Sequence, residues 1–138
     1  MKAFVFLSLS ILCFVGCQSS KQSSVDQTTE STQSVAVQDL NQNDLASKVA
    51  EDNVVLVDVR TPEEVAEGYI TGATTFIDFY SDGFQEEIKK LDKSKTYVMY
   101  CRSGGRSGKA AQFMIDNGFK TVYNLNGGIS SYTGEVVK

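Results

Sequence analysis

The chain contains no histidine among its 138 residues. That absence removes Ser-His-Asp and Cys-His catalysis, and with them the zinc sets that mix His with Cys. Positive charge is also short, since 13 Lys and Arg face 17 Asp and Glu for a formal net charge of −4. Lys2, Lys21, Asp26 and Glu30 cancel one another, so the deficit falls on the residues after position 36. Such a balance argues against a nucleic-acid partner. No apolar run is long enough to cross a bilayer comfortably as a permanent helix; the run from Ala3 to Val15 is short and broken by Ser8 and Ser10. Cysteine is scarce: Cys13 and Cys17 stand near the start, and Cys101 is alone in the remainder, which excludes a disulfide framework there. A lone thiol is an oxidation hazard, so its presence calls for a chemical reason.

The first residues suit a processed segment instead. Met1 and Lys2 form a short basic start, and the apolar run after them has the length of a signal-peptide core. It ends in Phe14-Val15-Gly16-Cys17, which resembles the bacterial lipobox, with Phe14 where Leu is usual. The resemblance implies a signal peptide over residues 1–16 and lipid on Cys17, hence a membrane anchor in the cell envelope. Gln18 follows the cysteine, where lipoproteins kept at the inner membrane often carry Asp, so the expected placement is the outer membrane facing the periplasm. From Gln18 to Ala36, 13 of 19 residues are Gln, Ser or Thr. Such a segment cannot bury enough surface to offset its ordering entropy, so residues 17–36 are expected to form a disordered tether. As a flexible coil it would span roughly 25 Å. The folded domain is expected over residues 37–138.

Within that domain strand and helix signals alternate. Asn41 stands as a helix cap with Asp44 at N3, Leu40 and Leu45 occupy the hydrophobic-staple positions, and Leu45 and Val49 share a face. Val54 to Val57 and Tyr97 to Tyr100 are continuous apolar runs, as expected of strands buried on both faces of a parallel sheet. Thr61-Pro62-Glu63-Glu64 starts a second helix that Gly68 stops. Ala73 to Ile77 reads as a short strand and Phe84 to Leu91 as a helix. A further helix is expected from about Arg106 to Asp116, with Ala110, Ala111 and Met114 on one side. Asn117-Gly118 closes it, and Phe119 folds back on Met114. Val122 to Leu125 is a strand, and Gly127-Gly128-Ile129 a tight turn. Alternation of this kind predicts an α/β fold with a parallel sheet, whose ligands sit beyond the carboxyl ends of the strands. Cys101 occupies such an end.

The stretch Cys101-Arg102-Ser103-Gly104-Gly105-Arg106-Ser107 carries the chemistry. The chain leaves a strand and enters a helix within a few residues. Gly104 and Gly105 tolerate positive φ, so successive N–H groups can turn inward as an anion-binding nest. The helix dipole and the two arginines add positive charge. Together they favour a thiolate at Cys101, a nucleophile that needs no histidine base. Arg102 is expected at the rim of the bowl; Arg106 either braces the loop or reaches an anionic ligand.

Asp58-Val59-Arg60, Gly68-Tyr69-Ile70-Thr71-Gly72-Ala73, the cysteine loop and Gly127-Gly128-Ile129 resemble, in order and spacing, the rhodanese (sulfurtransferase) domain. The resemblance covers nearly all of Val37 to Tyr132. It implies a three-layer α/β/α fold with a five-stranded parallel sheet. It also implies that Cys101 takes a sulfane sulfur from a donor such as thiosulfate, holds it as a persulfide, and passes it to cyanide or a thiol, a protein thiol included. Neither a metal nor an organic cofactor is implied. Arg102, Ser103, Gly104, Gly105, Arg106 and Ser107 would bind substrate, and Asp58 and Arg60 would be structural neighbours of the site. The family usually has His where Tyr69 stands and Trp near Tyr132, which bears on the rim and the choice of acceptor. Two rivals stand beside this reading. One is a catalytically silent module of the same fold. The other is a cysteine phosphatase or arsenate reductase, which would carry five residues rather than four between Cys and Arg, and often His where Tyr100 stands.

Overall fold

The apolar runs that read as doubly buried strands lie at the middle of the sheet. Strands β2 (Val54–Asp58) and β5 (Thr96–Tyr100) pair in parallel register, Leu56 opposite Val98 and Asp58 opposite Tyr100. The computed structural model describes residues 35–138; the expected signal peptide, Cys17 and nearly all of the expected tether lie outside the described residues. The sheet is completed by β1 (Gln38–Leu40), β4 (Ala73–Phe76) and β6 (Thr121–Leu125) in the order β1-β6-β5-β2-β4, every pairing parallel. This is the five-stranded parallel sheet of the expected fold.

Period-2 alternation divides the strands between two cores. Leu56, Val98 and Tyr100 face Leu45 of α1 (Leu45–Val49), together with Ile70 and Leu125. Val57, Met99 and Cys101 face Phe84 and Ile88 of α3 (Phe84–Lys89) and Ala110, Ala111 and Met114 of α4 (Gly105–Asp116). Helices on both faces therefore bury both sides of β2 and β5, which is what a parallel sheet requires. Each large aliphatic side chain so buried contributes about 1.5–3 kcal/mol.

The helix ends follow their sequence signals closely. In α2 (Pro62–Ala66) Thr61 and Glu64 form a reciprocal capping box, with Pro62 in the first turn. At the end of α4, Phe119 N–H donates to Met114 and Gly118 N–H to Ile115. Gly118 has φ 87°, and Phe119 is fully buried, completing the Schellman arrangement.

The departures from expectation are local. Asn41 makes no side-chain cap, because the chain first forms a 3-10 turn, Gln42–Asp44, in which Asp44 N–H donates to the Asn41 carbonyl. Helix α4 begins one residue early, at Gly105, which is helical rather than at positive φ. A two-stranded antiparallel pair, β3 (Tyr69–Ile70) with β7 (Val136–Val137), is built from segments too short to show alternation.

Candidate active site

Strand β5 delivers Cys101 to the carboxyl end of the sheet, and the chain turns into α4 in the next four residues. Gly104 makes that corner alone, at φ 98° and ψ −16° in the left-handed region. Its N–H donates to Cys101 Sγ at 3.2 Å, and the Ser107 hydroxyl lies 3.5 Å from the same sulfur. The thiol is almost wholly buried. Burial pushes its pKa up, but the Ser107 hydroxyl and the backbone N–H groups of Ser107, Ser103 and Gly104 outweigh burial, and the net shift is downward. The expectation of positive φ at both glycines is thus corrected. Gly105 is the first residue of the helix and meets no atom within 4 Å where a Cβ would stand.

Orientation of the loop comes from the turn after β6, which sequence reasoning treated as a bare tight turn. Ile129 N–H donates to the Cys101 carbonyl at 2.9 Å and Ser130 N–H to the Arg102 carbonyl at 3.0 Å. In a trans peptide the N–H points opposite to the C=O. Fixing these two carbonyls toward the turn therefore directs the N–H groups of Arg102 and Ser103 away from it. Gly128 permits this approach at φ 56° and ψ −156°; a Cβ there would fall 2.6 Å from the Arg102 carbonyl oxygen and closer still to that of Cys101.

The expected structural pair is present. Asp58 is fully buried and Arg60 is 6% exposed. The Arg60 Nε and Nη2 atoms donate to the Asp58 carboxylate at 2.9 and 2.6 Å. Arg60 Nη1 also donates to the carbonyl of Glu64 at 3.1 Å, and Nη2 to that of Gly68 at 2.8 Å. Burial opposes the charge on Arg60, yet Asp58 beside it keeps its pKa raised. These bonds tie α2 to the end of β2, where it flanks the cysteine loop.

Arg106 and Glu64 form the second ion pair of the site, and Glu64 was not singled out as a site residue from sequence. Arg106 donates through both terminal nitrogens to the Glu64 carboxylate at 2.6 and 2.7 Å. The guanidinium holds Glu64 down at about 2, helped by the Thr61 N–H. Each terminal nitrogen of Arg106 is thus engaged by Glu64, which joins the start of α4 to α2. Arg106 also lies 5.5 Å from the ring centroid of Tyr80, itself 68% exposed. Ser107 Oγ is 2.7 Å from Asn124 Oδ1, so β6 supports the hydroxyl beside the sulfur, a contact that a sequence separation of 17 concealed.

The other expected residues fall around this centre. Arg102 and Ser103 are exposed. Arg102 lines a polar cleft of about 490 Å³ with Arg60, Glu64, Glu67, Ile129 and Ser130. Tyr69 meets Phe76 edge-on at 5.0 Å, and Tyr132 packs against the core on the α1 side. Each replaces a residue usual in the resembled family, and each is engaged in packing.

The model of the family described as "Rhodanese-like domain" matches residues 41–135. YtwF of Bacillus subtilis is 42% identical over 86 residues, which span 62% of this chain and 80% of that protein. A protein named as a sulfurtransferase from Allochromatium vinosum is 33% identical over 97 residues, covering 70% of this chain and 88% of its own. The crystal structure of a rhodanese-like domain protein from Staphylococcus aureus superposes with a TM-score of 0.61 at 30% identity, over 74% of this chain and 99% of that one. The chain belongs to the rhodanese-like domain family.

Proposed function

We propose that this protein is a sulfurtransferase that carries sulfane sulfur on Cys101. The observation that carries the reading is a buried sulfur at the carboxyl end of a parallel strand, 3.2 Å from an inward backbone N–H and with its pKa lowered by hydrogen bonds. In the first half-reaction the Cys101 thiolate attacks the outer sulfur of a donor such as thiosulfate. The sulfur–sulfur bond of the donor breaks, sulfite departs with the electron pair, and a persulfide anion remains on Cys101. In the second, cyanide or a thiolate attacks the outer sulfur and leaves as thiocyanate or a new persulfide, restoring the Cys101 thiolate. Both halves balance in atoms and charge, and their use of one cysteine makes the kinetics ping-pong. The N–H groups around the sulfur stabilise the negative charge in both resting forms. Four residues separate Cys101 from Arg106, which makes a smaller bowl than the five-residue loop of the phosphatases and suits one added sulfur.

Treating the domain with thiosulfate should raise its intact mass by one sulfur atom, and cyanide should remove it. Cys101→Ser should show neither change, since among the described residues the sulfur is contacted by the Gly104 N–H and the Ser107 hydroxyl and by no base that could activate a serine hydroxyl. An unchanged mass in the wild type would favour a silent binding module, and phosphate release from an aryl phosphate would favour the phosphatase.

The proposal extends to location. Residues 1–16 serve as a lipoprotein signal, lipid on Cys17 anchors the protein, and residues 17–36 tether the domain in the cell envelope, with the outer membrane favoured by Gln18. Cys17→Ala should abolish labelling by a fatty-acid analogue and release the protein from membranes; labelling that persists refutes the anchor.

A further inference from the structure

We infer that Glu64 sets donor specificity by cancelling the charge of Arg106, so that the site favours a sulfur donor of one negative charge over the dianion thiosulfate. This rests on the sulfurtransferase reading and refines its substrate class. Four cations and carboxylates near the cysteine are already spent on each other: Arg60 with Asp58, and Arg106 with Glu64. Among the described residues neither Arg102 nor Glu67 is in an ion pair, and both line the polar cleft beside the loop. With Cys101 as thiolate, the mouth thus carries one free cation against two anions. A dianion brought there places four negative charges, its own two, the thiolate and Glu67, around the Arg102 guanidinium. A monoanionic donor removes one of them at no loss of reacting geometry.

The pair is built to persist. Both Arg106 bonds are short, and the second Glu64 oxygen also accepts the Thr61 N–H of the capping box, which fixes its direction. Tyr80 backs Arg106 with its ring. A thiosulfonate or an organic persulfide meets the requirement. For methanethiosulfonate the balance is simple: Cys101 Sγ bonds to the terminal sulfur, the donor's sulfur–sulfur bond breaks, and methanesulfinate leaves with the electron pair and one negative charge.

Thiosulfate and methanethiosulfonate share the reacting sulfur and differ by one charge, so their comparison isolates the effect. Glu64→Gln keeps one acceptor oxygen for the capping box and removes the charge together with one of the two Arg106 hydrogen bonds. Coulomb energy scales with donor charge, so the freed Arg106 should improve KM by about threefold for methanethiosulfonate and by about the square of that for thiosulfate, roughly tenfold. The thiosulfate gain should shrink in added salt. Equal changes for both donors, or a fall in kcat for both with KM unmoved, would show Glu64 to be a loop brace alone and overturn the inference. Failure of both donors to place sulfur on Cys101 in the wild type would instead overturn the sulfurtransferase reading, and this inference with it.

Discussion

Gly128→Ala tests whether the turn after β6 orients the cysteine loop. The native φ of 56° and ψ of −156° lie in a region essentially reserved for glycine. Forcing alanine into it costs about 1–3 kcal/mol. The added methyl would also fall 2.6 Å or less from the Arg102 and Cys101 carbonyl oxygens, so the turn has to retreat by about half an ångström and loosen both N–H···O bonds. Two such bonds are worth about 1 kcal/mol each. The expected destabilisation is about 4 kcal/mol, which for a domain of this size lowers Tm by about 15 °C or more. Chemistry should change with it. Once the Cys101 and Arg102 carbonyls are released, the N–H groups of the loop no longer converge, and the thiol returns toward its ordinary pKa of about 8.5. Alkylation by iodoacetamide, followed against pH below the melting temperature, should then show its midpoint shifted upward. Gly105→Ala is the matched control, since that residue is helical and has open space, and it should stabilise by about 0.5–1 kcal/mol. A Gly128→Ala protein that melts like the wild type, or that melts low with an unmoved alkylation midpoint, would refute the clamp.

Other predictions address the charges. Arg60→Met should cost about 3–5 kcal/mol in urea unfolding, because it leaves the Asp58 carboxylate buried without its partner. Arg102→Ala should raise the KM for thiosulfate more than it lowers kcat, since the exposed guanidinium contributes binding shared by ground and transition states. Glu64 titrates at about 2 in place of 4.5, so its folded pKa is depressed. The stabilisation it supplies is complete above about pH 4.5 and is lost as the pH falls from there toward 2; the gap in urea midpoint between wild type and Glu64→Gln should close over that window.

What was legible in the sequence was legible because a local rule governs it. Val54 to Val57 and Tyr97 to Tyr100 announce themselves as doubly buried strands by continuous apolar character, and the sheet puts the strands that contain them side by side in its interior. Thr61 to Glu64 and Met114 to Phe119 close helix ends through partners three to five residues away, so their geometry follows from spacing. β1 escaped notice because it is three residues long with Leu40 its one buried side chain; it exists because β6 offers a backbone edge, not because its own pattern demands a strand. β3 and β7 are shorter still and lie more than 60 residues apart.

The site divides along the same line. Cys101, the inward N–H of Gly104 and the hydroxyl of Ser107 lie within seven consecutive residues, and a strand-to-helix corner with a glycine pair determines their arrangement almost alone. The two glycines looked equivalent because both permit positive φ; only the starting point of α4 distinguishes them, and that depends on which peptide first accepts an i+4 partner. Gly104 does so, its carbonyl taking the N–H of Gly108 at 2.9 Å. Long-range partners obey no such rule. Glu64 is 42 residues from Arg106, Asn124 is 17 from Ser107, and Gly128 meets carbonyls some 26 residues back. Each of these partners already had a sufficient local explanation: a capping box for Glu64, a strand interior for Asn124, a turn for Gly128. A residue that satisfies one local rule gives no sign in the sequence that it satisfies a distant one as well. Reactivity at Cys101 is therefore set in two stages, a loop whose N–H groups can converge and a surrounding frame that makes them do so. Glu64 belongs to the frame, and through Arg106 it reaches the charge that an incoming donor meets.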